Sequence, residues 1–240
     1  MKMVAGRVSA AVALAVGLAT GVPPLAAEPA PPAEARLGEL SALLSRSDGA
    51  TDDALIVAAL DELRAMGPRA APVAETLGRL LRHQSALYQD RDKSLVVRLR
   101  GYILVTLSEI GFPASAEPAL WDVLAHVDER MVAMELGAAA RAVASLGPRG
   151  CALAPHLIAV LSARLSEEEF SLERYGPRFP PLEATTVQLE AVRSLGRVCR
   201  HEDPEVIAAL RRLLDEPEGA LDPRVVREAR RALQLIGGRR

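Results

Sequence analysis

Aromatic residues are scarce in this chain of 240 residues: three phenylalanines, three tyrosines and one tryptophan. Aromatic- and threonine-rich stretches, the usual material of strands, do not occur, which argues against a sheet-built fold. A strong charge of one sign is also lacking. The formal net charge is −2, which excludes a general nucleic-acid binder, since that needs a marked positive excess. Lysine is confined to Lys2 and Lys93, so the cationic surface is arginine, suited to bidentate contacts with carboxylate or phosphate. Catalytic signatures are missing: there is no GxSxG, no phosphate-binding loop and no HExxH. His83, His126, His156 and His201 are scattered and lack the close ligand pairs that zinc requires. His201-Glu202-Asp203-Pro204-Glu205 has no second histidine at helical spacing and reads as a polar turn with Asp203 as helix cap. No catalytic residue, metal or cofactor is therefore expected.

What is present begins with a leader. Lys2 and Arg7 form a short positive region, and Val8 to Val22 is apolar but short for a bilayer span. Pro23-Pro24 and the small residues Leu25-Ala26-Ala27 then suit cleavage, so residues 1–27 read as a bacterial signal peptide. Residues 28–34, Glu-Pro-Ala-Pro-Pro-Ala-Glu, read as a stiff linker. The expected location is periplasmic or secreted, with no membrane insertion once the leader is removed.

The main feature is an apolar ladder ending at a glycine-type stop, found five times. Counting back from each stop, apolar side chains fall at −12, −8, −4 and −1. The copies are Leu55-Ala59-Leu63-Met66 before Gly67, Leu99-Ile103-Leu107-Ile110 before Gly111, and Glu135-Ala139-Val143-Leu146 before Gly147. Val187-Ala191-Leu195-Val198 before Cys199 and Val225-Ala229-Leu233-Ile236 before Gly237 follow. Only Glu135 is not apolar. This spacing puts each set on one helical face. A repeated helix with a repeated stop predicts a stacked array. Alanine in the −8 column would let neighbouring backbones approach closely.

A second apolar helix follows each turn. Val73, Leu77, Leu80 and Leu81 recur as Leu153, Leu157, Val160 and Leu161, and again as Val206, Leu210, Leu213 and Leu214. Trp121 and Leu124 fill the matching columns after Gly111. Glycine supplies a left-handed cap and a following proline prevents the helix from continuing. Thr51-Asp52, Asp203-Pro204 and Asp222-Pro223 mark helix starts. Stops spaced by 44, 36, 52 and 38 residues suit a two-helix unit, and the longest interval holds an insertion at 166–182. Arg36 to Leu44 reads as a first capping helix and Pro223 to Ile236 as the last.

Asp222-Pro223-Arg224-Val225-Val226-Arg227-Glu228-Ala229-Arg230-Arg231-Ala232-Leu233 resembles the first helix of the HEAT-like repeats associated with phycobilisome lyase subunits. Val187 to Cys199 does so too, and Leu146 to Leu157 resembles the turn and second helix of that family. The resemblance implies an all-α fold: an α-solenoid of about five stacked antiparallel helix pairs, HEAT-like or armadillo-type, over residues 35–238. It also implies a concave docking surface. It departs from the family at the helix-one arginine, present as Arg100 and, one residue late, as Arg227, but replaced elsewhere.

Candidate binding residues follow from position. Arg79, Arg82, Asp122, His156 and Arg212 fall on exposed positions of the second helices. Phe170, Arg174, Tyr175, Arg178 and Phe179 belong to the insertion, which the repeat does not require. Trp121 takes a column held by leucines elsewhere, so core packing is expected; Tyr102 is ambiguous. Cys151 and Cys199 lie on neighbouring repeats. Helix layers about 8–10 Å apart favour two separate buried cysteines, with a disulfide as the alternative. The expected function is a non-catalytic exported scaffold binding an unknown protein or peptide. The alternative is an accessory or lyase-like factor that holds a prosthetic group or acceptor protein.

Overall fold

The computed structural model describes residues 33–82, 84–125, 133–162, 185–199 and 203–237. The proposed leader, most of the linker, the insertion, and His83, His126 and His201 lie outside the described residues. The described chain is all-helical. Helix α1 spans Ala33–Arg46, α2 Asp53–Met66, α3 Ala74–Leu80, α4 Lys93–Ile110 and α5 Glu117–Ala125. Then come α6 Ala133–Val143, α7 Ala154–Ser162, α8 Val187–Val198, α9 Pro204–Leu214 and α10 Pro223–Gly237. Helix α1 begins inside the segment read as linker, with Glu34 in its first turn, where a negative charge complements the helix dipole.

Starts and stops are set locally. Asp52 accepts from the Ala54 amide at 2.9 Å, Asp203 from the Glu205 amide at 3.0 Å, and Asp222 from the Arg224 amide at 2.7 Å. Asp92 and Thr186 cap α4 and α8 in the same way. Gly67 and Gly147 both sit at φ 58°, ψ −140°. This is not the left-handed helical cap expected; it is a turn that only glycine enters cheaply. The chain then runs into a 3-10 segment, Gly67–Val73 after α2 and Ala144–Leu153 around Gly147. Gly111 ends α4 at φ 119°, ψ 131°, again a positive φ, while the remaining two stops differ from the repeat logic. Gly237 remains inside α10, and Cys199, with a Cβ, leaves α8 through extended backbone at φ −89°, ψ 92°.

Helices α2, α4, α6, α8 and α10 pack each against the next. Their ladder faces form most of the core: Leu63, Leu107, Val143 and Leu195 are fully buried, and Leu233 is half-buried against them. The −8 alanines Ala59, Ala139, Ala191 and Ala229 are all buried, where a larger side chain would hold the backbones apart. Leu55 is a correction: it is 54% exposed, and Ile56 and Val57 fill the core in its place. Three adjacent apolar residues leave the register ambiguous by one step, and packing chooses.

Candidate functional site

Helices α3, α5, α7 and α9 are the second-helix layer: the turn before α5 packs on α3, α5 on α7, and α7 on α9. Arg79 lies in α3, Arg82 just beyond it, Asp122 in α5, His156 in α7 and Arg212 in α9. All are exposed except the half-buried His156. Arg79 Nη2 donates to Thr76 Oγ1 at 3.1 Å, and Arg212 Nε donates to the Ala208 carbonyl at 3.4 Å. Arg79 and Arg212 are thus each held against their own helix. Phe170, Arg174, Tyr175, Arg178 and Phe179 lie outside the described residues.

Trp121 corrects the expectation of a core role. It is 41% exposed, while Leu120 beside it is fully buried. The α5 core face is formed by Leu120, Val123 and Leu124. The tryptophan therefore stands one position off the leucine columns, on the outside of the layer. Its ring meets His156 edge-on, centroids 4.9 Å apart and planes at 80°. The edge-to-face geometry suits aromatic quadrupoles. Of the candidate residues, the structure brings His156 into contact with Trp121, a residue that column logic assigned to the core. Tyr102, left ambiguous above, is buried in α4.

The cysteines are a second correction. Cys151 and Cys199 form a disulfide, with Cα atoms 5.1 Å apart. The 3-10 segment carrying Cys151 does not stay in its own layer. It lies against the end of α8, where a Cβ on Gly150 would fall 2.7 Å from the Val143 carbonyl and 2.9 Å from Val198 Cγ1. Axis-to-axis spacing between helices overestimates this gap because the bridge joins a turn to a helix end.

Glu135, the one ladder position that is not apolar, is buried with a partner. Arg100 Nε meets Glu135 Oε1 at 2.5 Å, and Arg100 Nη1 donates to the Leu81 carbonyl at 2.8 Å. The pair ties α4 to α6 inside the core. Tyr88 is buried nearby, and burial pushes its phenol well above the ordinary value. A cavity of about 460 Å³ opens between the end of α9 and the start of α10. Leu213, Leu214 and Val226 line it together with Arg227, Arg230 and Glu218. No helix among the described residues is long and apolar enough to cross a membrane.

No known protein family matches the chain. No curated protein matches it significantly either.

Proposed function

We propose that this chain is an exported, non-catalytic scaffold: a HEAT-like α-solenoid that docks a protein or peptide along the concave surface bordered by α3, α5, α7 and α9. The observation that carries this reading is the exposed Trp121, braced by His156 in the middle of that layer. A large aromatic left in water on a helix with a complete apolar core face is a common binding anchor. Arg79, Arg82, Asp122 and Arg212 would form its polar surroundings, with the 166–182 insertion as a further contact. The packing of α2, α4, α6, α8 and α10 each against the next supports the solenoid reading. A lyase-like role would need a ligand pocket, and the version of it that uses a reactive thiol is disfavoured by the disulfide, which leaves neither cysteine free.

The test is affinity capture from an envelope fraction, comparing the intact chain with Trp121→Ala and with a chain lacking 166–182. A specific partner should be retained by the intact chain and lost from Trp121→Ala while that variant keeps its helical circular dichroism. Equal capture by both would remove the α5–α7 face from the proposal. Mass measurement of the chain recovered from cells tests export: the expected N-terminus is Glu28.

A further inference from the structure

The disulfide lies beside a third group. Cys151 Sγ, Cys199 Sγ and a carboxylate oxygen of Asp203 are all within 4.8 Å of one another. Asp203 is held in place: as the cap of α9 it accepts from the Glu205 and Val206 amides at 3.0 and 3.3 Å. Cys199 is buried at the end of α8, and Cys151 is half-buried in the segment that runs straight into α7. The three groups thus come from three different elements, each with its backbone fixed.

We propose that the reduced chain carries a metal site formed by Cys151, Cys199 and Asp203, of the kind that takes a thiophilic divalent ion such as Zn²⁺. Two thiolates and a carboxylate are a soft-to-borderline donor set that selects zinc over magnesium or calcium. Around zinc, S and O donors lie about 2.0–2.3 Å from the ion, so the donors of one tetrahedral site stand about 3.5–4 Å apart. The Asp203 carboxylate already stands within 4.8 Å of both sulfurs, while the disulfide holds the sulfurs closer to each other than two donors of one ion would be. Once the S–S bond is broken, side-chain rotation opens the sulfurs far enough to admit the ion. Without an ion, two thiolates and a carboxylate would repel one another; a divalent cation cancels most of that charge. The fourth position is left to water.

The chemistry balances as two steps. A dithiol reductant gives two electrons and two protons to the disulfide, yielding two cysteine thiols and the oxidised reductant. Zn²⁺ then binds as the two thiol protons pass to solvent. The oxidised chain has no thiolate to offer, so reduction gates the site.

The test uses the chain reduced anaerobically and freed of reductant, with Co²⁺ as the spectroscopic probe and Zn²⁺ competing against a chromogenic chelator. The expected result is one equivalent of Co²⁺ bound, with thiolate-to-cobalt charge transfer and the ligand-field bands of a tetrahedral site. The oxidised chain should show neither. Cys151→Ser should abolish the charge-transfer band or cut it to about half. Asp203→Asn, which keeps the helix cap, should weaken Zn²⁺ tenfold or more. Zn²⁺ should also raise the melting temperature of the reduced chain but not of the oxidised one. Absence of charge transfer in the reduced chain overturns the proposal, as does unchanged affinity in Asp203→Asn. So does a reduced chain that loses its helical circular dichroism and does not regain it with Zn²⁺.

Discussion

Arg100 and Glu135 face each other across α4 and α6 at 2.5 Å, in a core where the two side chains are 1% and 9% exposed. The interruption of the apolar ladder at Glu135 is therefore one half of an ion pair, with its other half one residue beyond Leu99 in the preceding ladder. Such a pair adds little net stability over apolar residues of the same volume, because both ions give up water. Losing one partner is different. Arg100→Ala or Glu135→Ala should each cost about 3–5 kcal/mol, since an unpaired charge stays buried. The double change Arg100→Met with Glu135→Leu should cost much less than either alone. Urea unfolding of the three variants measures this, and single-variant losses below 1 kcal/mol would show that the pair is not shut away from water.

The glycine stops divide into two kinds, and substitution should separate them. At Gly147 the added methyl meets no atom, yet the backbone holds φ 58°. Gly147→Ala should therefore lose about 1–3 kcal/mol from conformation alone. Gly237 has equal space and sits in ordinary helical backbone at the end of α10. Gly237→Ala should be neutral or add up to about 1 kcal/mol. Thermal melting of the two single variants gives the comparison directly.

Helix ends were legible in the sequence because their causes are local. An Asp before a proline, or a glycine after the last apolar step, acts within one turn. The ladder of α4 could be read whole for the same reason. Leu55 could not, because Ile56 and Val57 are equally apolar neighbours and only tertiary packing ranks them. Trp121 was misread because α5 enters from a different turn and its core face starts at Leu120. The disulfide depended on how far a 3-10 segment leans across its neighbour, a distance no spacing along the chain contains. Glu135 was visible as an exception, but its partner lay in another repeat.

Acid should loosen this fold in a defined window. The Arg36 guanidinium bonded to Glu62 holds that carboxyl below its ordinary value, and Arg224 does the same for Asp222. A group whose folded value is depressed stabilises fully above its unfolded value, about 4.3 for Glu and 3.9 for Asp, and that stability is lost as pH falls through the folded value. Asp61 runs the other way, because burial raises it. The melting temperature should therefore fall from about pH 5 downward. Glu62→Gln and Asp222→Asn should both flatten that slope, while leaving the cap of α10 in place in the second case. A slope identical to the parent chain in both variants would remove these two pairs as its origin.

Leu120 and Trp121 are neighbours with opposite environments, so a paired substitution tests the assignment of the α5 faces. Leu120 is fully buried among the core residues, and truncation to alanine should cost about 2–5 kcal/mol through lost burial and the cavity left behind. Trp121 is 41% exposed and meets His156 edge-on, so Trp121→Ala should cost clearly less than Leu120→Ala. Trp121 is also the chain's only tryptophan, which makes its fluorescence a direct report. Emission of the folded chain should be less blue-shifted than that of a core indole and open to quenching by iodide. A blue-shifted, quencher-resistant signal would place the indole in the core and return α5 to the register read from the leucine columns.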